Sequence, residues 1–186
     1  MSTATLAPAA FDEFGRCLPT AVQSPVHRQS RRYFRLGTPA VDPAAILARQ
    51  PECFTFSLHG ARNFPFEKET SDLDVELPDD TGDTGYLDAL DAALPTVFAR
   101  AAPQLVIYLA GADPFAGDRL GRLQLSKAGL AARDELVLSE CRRRGLPVAI
   151  AMAGGYARDI DDTVDIHAAT ITTAARLFRQ PAAASL

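Results

Sequence analysis

The stretch LVIYLAGADPFAGDRLG, residues 105–121, decides the fold. It begins with an apolar run of strand length, 105–111, which is typical of a parallel strand covered by helices on both sides. The run stops at Asp113, and a loop rich in Pro and Gly then leads to a second acid, Asp118. A buried strand that ends on a carboxylate predicts a position that faces a ligand, because ligands of parallel sheets bind beyond the carboxyl ends of the strands.

Strand and helix signals alternate on both sides of this run. CFTFSLH at 53–59 is rich in β-branched and aromatic residues, and LPVAIAMAGG at 146–155 is a further apolar strand. A helix is predicted after 105–111, another before it, and a third after 146–155. This order predicts an α/β fold with a parallel sheet and helices on both faces. The long polar stretch between 60 and 83 is predicted to be a loop.

Caps and apolar spacing define the three helices. Thr84 is predicted to cap the first helix and Ser126 the second, which ends at Gly145. The third helix carries one apolar stripe that is expected to face the core. The residues predicted to face inward are Tyr86, Leu90, Leu94, Val97 and Phe98 in the first helix, Leu130, Val137, Leu138 and Cys141 in the second, and Ile160, Val164, His167, Ile171, Ala174 and Phe178 in the third.

The length and composition of the chain limit the classes of protein to which it can belong. The chain has 186 residues, 47% of them hydrophobic, with a net charge of −4. Residues 1–43 lack periodicity and are expected to be irregular or disordered, whereas residues 44–186 are expected to form one α/β domain. The acidic balance argues against nucleic acid and membrane as partners. Cys17, Cys53 and Cys141 form no C-x-x-C pair, and no secretory signal is recognised, so a cytoplasmic protein with reduced thiols is expected.

Three strand ends are expected at one edge of the sheet. They carry His59, Asp113 and Tyr156, the last preceded by Gly154 and Gly155. Asp113 either meets a metal or cation there, or it caps a turn or pairs with Arg119. Tyr156 either donates its phenolic proton to a developing oxyanion or packs in the turn.

Two further acids are interpreted as structural. Asp118 is expected to be a turn or salt-bridge residue because Arg119 follows it. Asp165 and His167 spell D-x-H, but residues two apart on a helix point to different sides and cannot share a metal. His167 is therefore expected to be a buried, hydrogen-bonded core histidine.

Four stretches, taken together, resemble a known family. They are FTFSLHGARNFPF at 54–66, SDLDVELPDDTGDTGYLDAL at 71–90, YLAGADPFAGDRLGRLQLSKAGLAARD at 108–134 and GLPVAIAMAGGY at 145–156. In order and spacing they resemble the C-terminal portion of the zinc-dependent histone deacetylase family, in particular its class IV-like and bacterial acetoin-utilisation branch. The resemblance implies an arginase–deacetylase fold and the hydrolysis of acetyl-lysine or a related acylated amine.

The resemblance also implies roles for individual residues. By position, Asp113 corresponds to a zinc ligand and Tyr156 to the tyrosine that stabilises the tetrahedral oxyanion. Phe64, with Gly154 and Gly155, corresponds to the wall of the acyl-lysine channel.

A second implied site is for a monovalent cation such as potassium. Ser57 and Leu58 correspond to its contributors, Leu58 through its backbone carbonyl. His59 follows them in the shared S-L-H pattern and is expected to have a supporting role.

The chain departs from the family pattern upstream of 53–59. An Asp-x-His-x-Gly-x-Gly segment that supplies two zinc ligands is expected there, but residues 34–47 read FRLGTPAVDPAAIL. The histidine dyad is also missing, since His27, His59 and His167 are the only histidines. The sequence therefore predicts a chain with little activity by itself. A non-catalytic pseudo-deacetylase that binds acylated amines, and a truncated fragment without function, remain alternatives.

Overall fold

A computed structural model of the chain describes residues 33–36, 50, 52–63 and 68–179. Within these residues, five parallel strands form one sheet in the order β3-β2-β1-β4-β5. The strands are β1 Tyr33–Leu36, β2 Cys53–Gly60, β3 Leu73–Leu77, β4 Leu105–Gly111 and β5 Val148–Ala153, and the helices are α1 Asp83–Ala101, α2 Lys127–Arg143 and α3 Ile160–Phe178. The α/β fold with a parallel sheet is confirmed, and the predicted helices on the second face of the sheet remain a prediction, since the three described helices lie on one face.

Two strands were not expected from the sequence. β1 lies within the stretch 1–43 that was predicted to be irregular, yet its backbone pairs with β2 on one side and with β4 on the other. Four residues are too few to show a periodic pattern, and their place is set by the backbone hydrogen bonds of the two neighbouring strands. The rest of 1–43, with Cys17 and His27, lies outside the described residues.

β3 corrects the prediction that the stretch between 60 and 83 is a loop. Its sequence LDVEL alternates apolar and acidic residues, and Leu77 is buried in the core. Acidic residues are frequent around β3, and they made the alternation of apolar and polar positions in this strand difficult to recognise from the sequence. Charged side chains are common on edge strands, where they discourage pairing with other chains.

The helices α1 and α2 lie on one face of the sheet. The connections from β3 to β4 and from β4 to β5 run in the same direction across the sheet, so right-handed crossovers place both helices on the same side. Accordingly α1 contacts α2, and α2 contacts α3. The helices therefore follow the order α1, α2, α3 above the sheet, with α3 at the side of β5. The connection from β1 to β2 lies almost entirely outside the described residues.

The helix caps were predicted in part. The Ser126 hydroxyl accepts a hydrogen bond from the Gly129 amide at 2.9 Å, which confirms the cap of α2, and Gly145 ends that helix region with a φ of +66°. The Thr84 cap was wrong, because α1 begins at Asp83 after Gly82 without a side-chain cap. The Asp83 carboxylate instead accepts hydrogen bonds from the amide and hydroxyl of Ser126. This contact fastens the start of α1 to the start of α2.

The inward-facing residues of α1 and α2 were predicted correctly, but those of α3 were not. The predicted residues of the first two helices are all buried. In α3 the buried residues are Thr163, Ile166, Thr170 and Leu177, and most of the predicted stripe is exposed. A polar contact orients the face of α3 that packs against α2, because Thr170 donates a hydrogen bond to Asp134 on α2.

A buried charge network joins β4, α2 and α3. Asp134 is 1% exposed and accepts hydrogen bonds from Tyr108, Arg133 and Thr170. Arg133, itself 3% exposed, donates a further hydrogen bond to the Gly111 carbonyl at 2.6 Å. Burial raises the pKa of Tyr108 well above its ordinary value, so its hydroxyl remains a donor at neutral pH. The end of β4 is therefore fixed by an ion pair in the core.

Replacement of Asp134 by alanine should lower the free energy of unfolding by about 3–5 kcal/mol, because Arg133 would be left as an uncompensated buried charge. Thr170→Val removes one hydrogen bond to the same carboxylate and preserves the side-chain shape, so a loss of about 1–3 kcal/mol is expected. Urea unfolding followed by far-ultraviolet circular dichroism measures both. Equal losses for the two variants would contradict the assignment of Asp134 as the centre of the network.

Candidate functional site

Some of the predicted site residues lie together at the carboxyl edge of the sheet, where the strands end. β2 ends at Gly60, β4 at Gly111 and β5 at Ala153, and these ends lie on the same edge because all the strands are parallel. The last residues of β4 and β5 are paired in register, and the Ala112 amide continues the pairing by donating to the Ala153 carbonyl. The loop that carries Asp113 therefore lies directly beside the loop that carries Tyr156.

Asp113 lies in a cradle made by two glycines. A Cβ atom at position 111 would lie 2.3 Å from the Asp113 Oδ1, and one at position 154 would lie 2.5 Å from it. Both distances are far below van der Waals contact, so any side chain at these positions would displace the carboxylate. Gly154 also has a φ of +63°, which L-residues rarely adopt. The A-G-A-D and A-G-G-Y sequences thus fix the place of one carboxylate.

The loop after β4 clamps the backbone of Tyr156. The Asp118 Oδ2 accepts a hydrogen bond from the Tyr156 amide at 2.5 Å, and the Tyr156 carbonyl accepts from both the amide and the Nε of Arg119. Asp118 Oδ1 meanwhile accepts from the amides of Leu120 and Gly121. The prediction that Asp118 is a turn residue is confirmed, and its contact with Tyr156 is one that the sequence did not indicate. The Tyr156 side chain is 51% exposed on this fixed backbone.

His59 lies at the end of β2 and is buried. Its Nδ1 is 2.8 Å from the Ser57 hydroxyl, and its Nε2 is 4.0 Å from Glu76 Oε1 on β3. Leu58, between them, is a core residue in register with Val75. These contacts tie the S-L-H segment to the edge strand and are consistent with a supporting role. Phe64 lies outside the described residues.

Asp165 and His167, the pair that spells D-x-H, lie away from this edge loop on α3. Asp165 pairs with Lys127 at 2.7 Å and, with Asp162, joins the start of α2 to α3. His167 lies on α3 and is half-buried. Its Nδ1 has no hydrogen-bond partner among the described residues, so the prediction of a hydrogen-bonded core histidine is wrong for this nitrogen. Burial raises the pKa of the Cys141 thiol to about 12, so the thiol is expected to stay protonated at neutral pH.

The comparisons with known proteins decide the family. Residues 43–171 match the family model described as the histone deacetylase domain. The chain belongs to the histone deacetylase family. An uncharacterised protein of the cyanobacterium Picosynechococcus sp. is 46% identical over 124 residues, which are 67% of this chain and 41% of that protein. Histone deacetylase 2 of Arabidopsis thaliana is 37% identical over 119 residues, 62% of this chain and 29% of that protein. This member spans less than half the length of these relatives.

Solved structures support the arginase–deacetylase fold. The acetylpolyamine aminohydrolase of Burkholderia pseudomallei superposes with a TM-score of 0.63 at 18% identity, covering 81% of this chain and 46% of that one. A histone deacetylase homologue from Aquifex aeolicus gives a TM-score of 0.62 at 22% identity, covering 82% of this chain and 42% of that one. At these identities the likeness shows the fold alone. Less than half of each of these two solved chains is covered.

The residues described do not by themselves fit the zinc ion that the family resemblance implies. No three His, Cys, Asp or Glu side chains come together as a metal-binding group in the described part of the chain. A catalytic zinc takes about three protein ligands. Asp113 is therefore the one candidate ligand that the geometry at this edge provides among those residues.

Gly154→Ala should displace the Asp113 carboxylate and destabilise the protein. Gly145→Ala is a matched control, because Gly145 has nearly the same φ but open space around it. The backbone cost of about 1–2 kcal/mol is common to both, and the overlap at position 154 should add about 1–3 kcal/mol. Urea unfolding of both variants measures the difference. Equal losses would show that Asp113 is not held by this cradle.

Asp118→Ala should loosen the Tyr156 loop. It removes a charge-assisted hydrogen bond to the Tyr156 amide, which is worth about 1.5–3 kcal/mol. Backbone amides in 154–158 should therefore exchange with deuterium about tenfold faster or more. Hydrogen exchange read by mass spectrometry measures this, with Asp161→Ala as the control on the exposed first turn of α3. Unchanged exchange in 154–158 would exclude the clamp.

Proposed function

We propose that this chain carries one wall of a deacetylase-type site for acylated amines, and that it has little or no hydrolytic activity by itself. The observation that supports the proposal most is the fixed placement of two neighbouring loops. Asp113, in the loop after β4, lies beside Gly111 and Gly154, and Asp118 and Arg119 of the same loop bind the backbone of Tyr156 in the loop after β5. Such preorganisation is costly to maintain and is typical of sites that bind a ligand or a transition state.

The chemistry of Tyr156 suits an acyl group. Its phenolic hydroxyl, on a half-exposed side chain at the carboxyl edge, would donate a hydrogen bond to an amide carbonyl and more strongly to the oxyanion that forms from it. The Asp113 carboxylate in the neighbouring loop would hold a cation or the positive end of an amine. Acetyl-lysine and an acetylated polyamine both offer the amide carbonyl that Tyr156 would bind, and an acetylated polyamine also keeps a positively charged amine that Asp113 would attract.

Hydrolysis needs groups that the described residues do not supply. A water must be activated and the leaving amine must be protonated. His59 is buried and occupied by Ser57, and no cluster of metal ligands is present in the described part of the chain. The same observation favours, as a second candidate, a non-catalytic protein that binds acylated amines. Potassium at Ser57 and Leu58 and a cytoplasmic location are further parts of the proposal. Zinc would need ligands from outside the described residues. The domain was predicted to begin at residue 44, but β1 of its sheet precedes that position. No helix among the described residues is long and apolar enough to cross a membrane.

The purified chain should neither contain stoichiometric zinc nor deacetylate an acetyl-lysine peptide. Elemental analysis by mass spectrometry measures the metal, and chromatographic separation of the peptide measures the turnover. Tightly bound zinc at one ion per chain together with turnover would overturn the prediction of inactivity.

Binding separates the two candidates from a chain without function. The acetyl-lysine peptide should bind saturably, and Tyr156→Phe should weaken this binding about tenfold because one hydrogen bond to the acyl oxygen is lost. The matched peptide with unmodified lysine is the control. A flat calorimetric titration with the acetylated peptide would contradict both the deacetylase-type site and the non-catalytic binding protein.

A further inference from the structure

The acidic residues of the chain are concentrated in one stretch. Residues 68–91 contain nine Asp and Glu residues and one Lys, a net charge of −8, whereas the whole chain has a net charge of −4. This stretch comprises β3, the loop after it and the first part of α1. Its one base, Lys68, donates a hydrogen bond to the Asn63 carbonyl at 2.6 Å, and Asp79 pairs with Arg122 at 3.5 Å. The side of the molecule that contains β3 is therefore strongly negative.

The backbone of β3 is open on one side. β3 is the edge strand opposite β5, and among the described residues it pairs with β2 alone. The Leu77 carbonyl accepts a hydrogen bond from the Ala61 amide at 2.8 Å, so the backbone of Leu77 is directed toward β2. Backbone groups of successive strand residues point to opposite sides, and those of Asp74 and Glu76 are therefore directed toward the outer edge. An added strand would bind these amides and carbonyls.

The side chains of β3 differ between the two faces of the sheet. Leu73 and Val75 are half-buried and pack against the core that contains Leu77. Asp74 and Glu76 alternate with them and lie on the opposite face, where the Glu76 side chain is 61% exposed. An extended polypeptide beside β3 would therefore have one row of side chains next to apolar residues and the other row next to two carboxylates.

We propose that the outer edge of β3 binds an extended polypeptide in which basic and apolar residues alternate. This polypeptide would pair with the backbone of Asp74 and Glu76 and place its basic side chains beside their carboxylates. Its apolar side chains would cover Leu73 and Val75. In this mode of recognition the backbone hydrogen bonds provide affinity, and the side chains at alternate positions provide specificity.

The charges of β3 argue against other occupants. A second copy that paired β3 with β3 would bring Asp74 and Glu76 of both copies together, and like charges across two strands are destabilising. A wholly apolar strand would cover the carboxylates without offering them a partner, which costs free energy. The carboxylates that protect this edge against general aggregation therefore select a basic partner, because opposite charges across two strands stabilise the pairing.

The β3 edge lies apart from the candidate site. β2 and β1 separate β3 from β4. Adjacent strands are about 4.8 Å apart, so the edge is about 14 Å or more from the strand that leads to Asp113. The inference goes beyond the proposed function, since it requires neither an acyl group nor hydrolysis. Failure of the acetyl-lysine peptide to bind would leave it intact, and its own test uses peptides without an acyl group.

The probe is a short fluorescent peptide, capped at both ends, in which lysine and valine alternate over slightly more than the length of β3. Fluorescence anisotropy with the full chain measures its affinity. Saturable binding is expected, and the matched peptide with glutamate in place of lysine should bind at least about tenfold more weakly.

Substitution of Glu76 tests the place of binding. Glu76→Lys should weaken binding of the lysine peptide about fivefold or more, because an attraction across the strands becomes a repulsion. Asp161→Lys is the matched control, since it makes the same change of charge on the exposed first turn of α3 and should leave the affinity within about twofold. Circular dichroism shows whether each variant is folded, and Glu76→Gln, which keeps the side-chain shape, replaces Glu76→Lys if that variant is not.

Backbone pairing is tested with two N-methylated forms of the lysine peptide. One carries the methyl groups on the lysine amides and the other carries them on the valine amides, so the charge is the same in both. In an extended strand these two sets of amides point to opposite sides, and only one set is directed at β3. One methylated peptide should therefore lose binding at least about tenfold, and the other should keep it.

Three results would overturn the inference. The first is that the lysine peptide does not bind the folded chain. The second is that the Glu76 variant and Asp161→Lys weaken binding equally, which would indicate a general effect of net charge. The third is that the two methylated peptides bind equally, which would indicate attraction between charges without pairing of strands.

Discussion

The structure depends on the buried ion pair between Arg133 and Asp134. Arg133 reaches across from α2 to the carbonyl of Gly111, the last residue of β4, and Asp134 neutralises it while binding Tyr108 of β4 and Thr170 of α3. A guanidinium in the core requires a fully hydrogen-bonded partner, so these groups must keep their places together. The carboxyl end of β4 is therefore rigid at the point where the chain turns toward Asp113.

The geometry of the candidate site depends on the rigid carboxyl end of β4. Gly111 and Gly154 leave room for the Asp113 carboxylate, and the loop after it continues to Asp118 and Arg119, which hold Tyr156 by its backbone. Two loops from neighbouring strands are thus cross-linked by hydrogen bonds rather than held by packing alone. A site built in this way keeps its polar groups oriented without a ligand. The chain belongs to the histone deacetylase family and spans less than half the length of its relatives.

Among the described residues, the two edges of the sheet differ in chemistry. A parallel sheet normally ends in a strand that is short, charged or covered, and β3 at the other edge follows this rule with Asp74 and Glu76. β5 is apolar throughout, and the helix above it has a second apolar face. One edge is therefore acidic, whereas the other is apolar.

The sequence by itself determined the α/β class, strands β2, β4 and β5, the buried faces of α1 and α2, and the position of Asp113 and Tyr156 at one edge. Continuous apolar runs, helical spacing and cap residues are local signals, and the parallel arrangement brings strand ends together without further information. Only the tertiary structure decided the place of β1, the edge strand β3, the clamp of Asp118 on Tyr156 and the orientation of α3. These depend on partners distant in the chain: Tyr33–Leu36 is fixed by two neighbouring strands, and α3 is rotated by the bond from Thr170 to Asp134. The prediction that the apolar stripe of α3 faces the core was wrong, because the face that packs includes Thr163 and Thr170, and spacing along one helix does not reveal a polar contact with another helix.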